Sequence, residues 1–101
     1  MSRDLHPTEG ARLLLERHRE AGARATYKVA IYTPTETFEA MAVLADDGAI
    51  ELQPTGAPAE LHAALEMLAR LTARAAAKRR EDGLGAWPAR VLRWRGTGRG
   101  L

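Results

Sequence analysis

A chain of 101 residues is long enough for one domain with a single two-layer core, and too short for two such domains. It contains no cysteine, which excludes a disulfide framework and a thiolate metal site. The net charge is only +2, yet residues 1–28 carry +2, residues 29–69 carry −7 and residues 70–101 carry +7. This acidic middle and basic C-terminal third are the main functional clue in the composition.

The first predicted element is a short amphipathic helix over residues 8–21. Ala11, Leu14 and Leu15 recur at helical spacing, and Gly22 stands where a glycine commonly ends a helix. We therefore expect this helix to pack one apolar stripe against the core.

After Gly22 the apolar period changes from 3.6 to 2, which predicts three strands over residues 27–32, 37–45 and 49–53. The turn between the last two is indicated by Asp46-Asp47-Gly48, since glycine closes short hairpin loops. The second strand is apolar on both phases, which predicts that both faces of the sheet are covered. The outward residues of this predicted contact surface are Tyr32, Met41 and Val43.

A long helix is predicted over residues 58–82, because apolar residues recur at three- and four-residue steps. Pro58 suits a first helical position, and Gly83 suits the stop. The apolar face runs from Leu61 to Leu71, and the opposite face places Glu66 before a column of cations one turn apart. Together with the strands, this helix predicts a main core of Val29, Ile31, Phe38, Ile50, Leu52, Leu61, Leu65 and Leu68.

A last strand is predicted over residues 89–95, with Trp94 packed and the arginines outward, followed by a flexible glycine-rich tail over residues 96–101. The element order is then α-β-β-β-α-β. The simplest arrangement is an α+β two-layer sandwich in which two helices cover one face of an antiparallel three- to four-stranded sheet. We expect residues 1–95 to form this single domain, with the last strand at a sheet edge.

The order helix, three strands, helix over residues 8–80 looks like that of double-stranded-RNA-binding domains. That family has a lysine cluster at the start of its second helix. This chain has Gly56-Ala57-Pro58-Ala59-Glu60-Leu61 there, with no cation before Arg70. Because the phosphate-binding cluster is absent, we do not assign the chain to that family.

Residue types that carry chemistry are sparse and scattered. The three histidines lack metal-ligand spacing, and the glycine-rich stretches lack the strand-before, helix-after setting of a phosphate-binding loop. Ser2 is the sole serine, so a hydroxyl or thiol nucleophile with an activating base is not evident. We therefore predict no enzyme activity, no catalytic or metal site and no cofactor, in a soluble cytoplasmic protein without a membrane-spanning segment.

A polarised surface without reactive groups suits recognition better than catalysis. We expect a small binding or regulatory module that contacts a protein partner or a second copy of itself, as a homodimer. The alternative is a nucleic-acid accessory protein that uses the basic face of residues 70–99, with an indole for stacking. The predicted binding surface consists of Arg70, Arg74, Lys78, Arg79, Arg80, Arg93, Trp94 and Arg95.

Overall fold

The computed structural model describes residues 5–96, which form five strands and one helix. The strands make one antiparallel sheet in the order β4-β3-β2-β1-β5, and the helix covers one of its faces. This arrangement confirms an α+β fold with the last strand at an edge, but with five strands and one helix instead of the predicted three to four strands and two helices. The elements are β1 (Ala11–Ala21), β2 (Arg24–Tyr32), β3 (Thr37–Ala45), β4 (Ile50–Leu52), α1 (Ala59–Glu81) and β5 (Arg90–Arg95).

The helix predicted over residues 8–21 is wrong, because this segment is β1, which pairs with both β2 and β5. The Leu13-Leu14-Leu15 run of β1 is apolar on both phases of the strand, so it also fits helical spacing. Leu13 and Leu15 enter the core, while Leu14 is buried on the other side of the sheet. The same change removes the element order that resembles double-stranded-RNA-binding domains.

Gly22 belongs to a hairpin loop and does not end a helix. It is the first of two loop residues between β1 and β2, and its φ is 60°. Positive φ at that position is typical of type II′ turns, whose twist matches that of the flanking strands. The β1–β2 hairpin is therefore built from a sequence that also has helical spacing.

The other predicted elements are confirmed to within a few residues at each end. β3 has the predicted bounds, and α1 differs from the prediction by one residue at each terminus. The predicted turn between β3 and β4 is present, with Gly48 at a φ of 95° and the Asp47 carboxylate accepting the Ala49 N–H at 2.9 Å. The Gly48 N–H donates to the Ala45 carbonyl at 3.0 Å.

The core lies between α1 and the face of the sheet that carries Tyr27, Val29 and Ile31. Of the predicted core, Val29, Ile31 and Leu65 are fully buried. The remaining predicted members are only partly buried around them: Phe38, Ile50, Leu52, Leu61 and Leu68.

The largest fully buried side chain is Trp87, in the segment between α1 and β5, which the sequence pattern does not place in the core. Its indole N–H donates to the Gly22 carbonyl at 3.1 Å. The neighbouring Tyr27 hydroxyl donates to the Pro88 carbonyl at 2.7 Å, and Arg17 donates to the Trp87 carbonyl at 2.6 Å. These bonds fix the connection that leads the chain from α1 across to β5.

The predicted facing of β5 is reversed. Val91 pairs with Leu15 and is buried on the helix side, which places Leu92 and Trp94 on the alternate phase. Trp94 is 55% exposed and is not packed as predicted. Most of the predicted tail, residues 97–101, lies outside the described residues.

Candidate functional site

The predicted cationic surface is divided into three groups by the fold. Three cations form a basic helix column on α1, two lie at the C-terminal end of α1, and the rest lie on β5 at the sheet edge. The basic helix column consists of Arg70, Arg74 and Lys78. Sequence reasoning placed all of these cations on one surface because it had no means of locating β5 relative to α1.

The basic helix column lies beside acidic residues of the same chain. Arg70 pairs with Glu66 at 3.4 Å and Lys78 pairs with Asp82 at 3.2 Å, both one turn away on the helix. Arg74 lies against the β3–β4 turn, where a Cβ built on Gly48 would be 3.2 Å from the Arg74 Cγ. Since these ion pairs are exposed, each contributes little to stability, about 0–1 kcal/mol.

The two cations at the end of α1 bind groups within the chain. Arg79 donates to the Gly85 carbonyl at 2.7 Å. Arg80 pairs with Asp46 at 3.0 Å and donates to the Gly22 carbonyl at 3.2 Å, so it joins the basic third to the acidic middle. These two arginines therefore fasten the helix end to neighbouring loops.

The cations on β5 lie beside an apolar groove between α1 and β5. The helix packs mainly over β1, β3 and β4, so its side toward β5 is more open. Met67 is 57% exposed and Leu71 is 53% exposed along the groove. Two adjoining depressions of about 550 and 400 Å³ make up the groove. The sequence prediction assigned Leu71 to the buried face, and Met67 was not singled out.

The second face of the sheet, called here the open face, is not covered by α1. Alternation along the strands places the predicted contact residues Tyr32, Met41 and Val43 on it, as expected. Sequence reasoning missed Leu14 and Leu92, which face each other across β1 and β5 on the same side. Its charged members are Arg12, Glu16, Arg19, Arg24, Lys28, Glu39, Glu51 and Arg90.

The centre of the open face is a shallow depression of about 300 Å³, lined by residues that include Leu14, Tyr32 and Met41. Burial, with the carboxylates of Glu39 and Glu16, raises the pKa of the Tyr32 hydroxyl. The phenol is therefore neutral at physiological pH and can donate a hydrogen bond. At one end of this face, His6 packs edge-on against Tyr32, with ring centroids 5.6 Å apart.

Among residues 5–96, no three His, Asp or Glu side chains come together as a metal site. His62 contacts Thr55 at 3.1 Å, while Glu66 contacts Arg70, so these two neighbours on α1 do not form a pair. In the same range, the single helix is too polar to cross a lipid bilayer.

Comparison of this chain with protein-family models, with curated proteins and with solved structures found no match. The candidate surfaces are therefore interpreted from their own chemistry.

Proposed function

We propose that this chain is a small non-enzymatic binding module that acts through protein–protein contact, and that its principal contact is self-association through the open face. The observation that carries the proposal is the sheet with one helix-covered face and one face on which Tyr32, Met41 and Val43 are only partly buried. Apolar residues on an uncovered sheet face are stabilised when a partner removes them from water.

The charges on the open face suit a second copy of the same chain. A two-fold symmetric contact needs a self-complementary patch, because each residue of one copy meets its counterpart region on the other. Cations and carboxylates alternate across the sheet here: Lys28 pairs in register with Glu16, and Glu16 pairs with Arg90. Such a patch is able to place opposite charges together after a two-fold rotation.

The size of the open face is also suitable. The five strands contain 38 residues, 11, 9, 9, 3 and 6 in chain order, which at about 3.3 Å per residue and about 4.8 Å between strands present roughly 600 Å². Stable interfaces bury about 600–1,000 Å² per partner, so a contact over the whole face reaches the lower end of this range.

The experiment is light scattering coupled to size-exclusion chromatography over a wide concentration range. Met41→Lys, at the centre of the open face, should shift the protein to monomer, because it introduces an unpaired charge into the contact. Met67→Lys is the matched control, since it makes the same change on α1 and should leave the dimer intact. A wild-type chain that stays monomeric at high concentration would contradict self-association.

The alternative function is nucleic-acid binding by the basic face of residues 70–99. The observation that supports it is the exposed indole of Trp94, which sits between Arg93 and Arg95 on β5 and suits base stacking. In that case affinity for DNA or RNA should fall log-linearly with salt concentration.

Two charge-reversal triples separate these functions. Reversal of the basic helix column should weaken nucleic-acid binding across unrelated sequences, as expected of phosphate contacts. Reversal of the acidic triple should leave that binding intact or improve it, and should weaken a protein contact that uses the acidic middle. The acidic triple consists of Glu36, Glu39 and Asp47. If neither triple changes any measured association, the uneven charge has no role in binding.

A further inference from the structure

β5 is an edge strand whose outer side is unpaired in the described residues. Arg17 donates its backbone N–H to the Ala89 carbonyl at 2.9 Å, so every second residue after Ala89 directs its backbone groups toward β1. The backbone groups of Arg90, Leu92 and Trp94 therefore point away from the sheet. In agreement, the Leu92 carbonyl accepts a hydrogen bond from the Arg93 guanidinium at 2.9 Å.

The groove between α1 and β5 lies directly beside this open edge. Along α1 it runs from Glu60 to Arg79, which is about 28 Å at 1.5 Å per residue. A strand of about eight residues has the same length. A strand added to β5 would therefore place alternate side chains in the groove, beside Met67 and Leu71.

The charges around the groove indicate what kind of segment would bind there. Arg79, Arg90, Arg93 and Arg95 line it, whereas Glu60 is the one acidic residue along it in the described part of the chain. Two β5 edges paired by two-fold symmetry would bring these arginines together, and like charges on facing strands are destabilising. The acidic residues of an extended segment would be attracted to these arginines, and its apolar residues would contact the apolar part of the groove.

We propose that the β5 edge and the α1–β5 groove bind an extended acidic segment of a partner protein by strand addition. Backbone hydrogen bonds to Arg90, Leu92 and Trp94 supply affinity, and alternate apolar side chains beside Met67 supply specificity. Arg90 and Leu92 belong both to the β5 edge and to the open face, but the groove beside Met67 lies on the helix side of the sheet, so the proposal does not depend on self-association.

The probe is a fluorescent eight-residue peptide that alternates valine and glutamate, measured by anisotropy with the full chain. It should bind, whereas a peptide alternating valine and lysine should not. In two-dimensional NMR spectra, the amides of Leu92 and Trp94 on the β5 edge should shift and those of Met41 and Val43 on β3 should not. Shifts confined to β3 would overturn the proposal.

Leu92→Pro tests strand addition directly, because it removes an outward N–H without removing a bond to β1, and proline is tolerated on edge strands. Leu92→Val is the matched control, since it is of similar size and keeps the N–H. The proline variant should bind the peptide about three- to tenfold more weakly than the valine variant, as expected for one lost hydrogen bond. Equal affinity of the two variants would overturn the proposal.

If Leu92→Pro does not fold, charge reversal replaces it. Arg93→Glu with Arg95→Glu should abolish peptide binding, while Arg70→Glu with Arg74→Glu makes the same charge change on the other side of α1 and should reduce affinity only slightly. Equal loss in both pairs would refute a specific site, since it would indicate general attraction to a basic protein. The proposed occupant would also be refuted by tighter binding of single-stranded oligothymidylate at the same residues. Association of copies that is lost with Arg93→Glu and Arg95→Glu would refute it as well.

Discussion

Trp87→Ala should be among the most destabilising single substitutions in this chain. The side chain is 1% exposed and packs in the core cluster with Tyr27 and Ala86. Truncating a buried tryptophan typically costs about 3–5 kcal/mol, from lost burial and from the cavity that remains. The Gly22 carbonyl keeps a donor from Arg80, so the lost indole bond adds little. A domain of this size has about 5–15 kcal/mol of stability in total, so much of it should be lost.

The assay is urea unfolding followed by far-ultraviolet circular dichroism, which does not depend on tryptophan emission. Trp94→Ala is the control, because its indole also donates to a backbone carbonyl, that of Glu9 at 3.1 Å, but is 55% exposed. It should cost less than half as much as Trp87→Ala. If the two substitutions cost the same, or if Trp94→Ala costs more, Trp94 is packed in the core and its placement on the exposed phase of β5 is wrong.

Leu65→Ala should cost roughly 2–5 kcal/mol in the same assay, since Leu65 is fully buried on α1. A loss below about 0.5 kcal/mol would mean that α1 does not pack against the sheet through the face that carries Leu65. Burial raises the pKa of Tyr27 from 10.0 to about 12. Because the buried phenolate is disfavoured, this group leaves stability unchanged below pH 10, and the fold should lose roughly 3 kcal/mol as pH rises from 10 through 12. Tyr27→Phe should remove this pH dependence in unfolding titrations. Gly10→Ala should destabilise the fold more than Gly22→Ala. Both glycines have positive φ, but a Cβ on Gly10 would overlap the Arg95 carbonyl oxygen, whereas one on Gly22 meets nothing. Equal losses of stability would contradict this close contact.

Local sequence patterns predicted the strands and the helix wherever each element buries one face. β2 places Tyr27, Val29 and Ile31 on the core face, which gives it a period of two, and α1 has one apolar stripe. β1 failed because its Leu13-Leu14-Leu15 run is apolar on both phases, and such a short run also fits a helix. Its arginines, leucines and glutamates favour helices intrinsically, but pairing with two strands overrides that preference. The two-residue loop after Ala21 is the signal that favours a hairpin.

The candidate surfaces were less predictable because they depend on contacts between distant segments. The placement of Tyr32 and Met41 on one sheet face follows from strand alternation alone. The groove does not, because it exists only where α1 leaves β5 uncovered. The burial of Trp87 has no periodic signal either, since it belongs to a connection between elements.

The position of β1 between β2 and β5 has a consequence for synthesis of the chain. Leu15 of β1 pairs with Val91 of β5, which is translated seventy-six residues later, so β1 is synthesised well before this partner strand. At about 5–20 residues per second, this delay is roughly 4–15 s. During that interval the β4-β3-β2-β1 meander is able to form while the apolar β1 edge stays unpaired, and an unpaired edge is a template for aggregation. A ribosome that stalls before β5 emerges would expose this edge to neighbouring nascent chains.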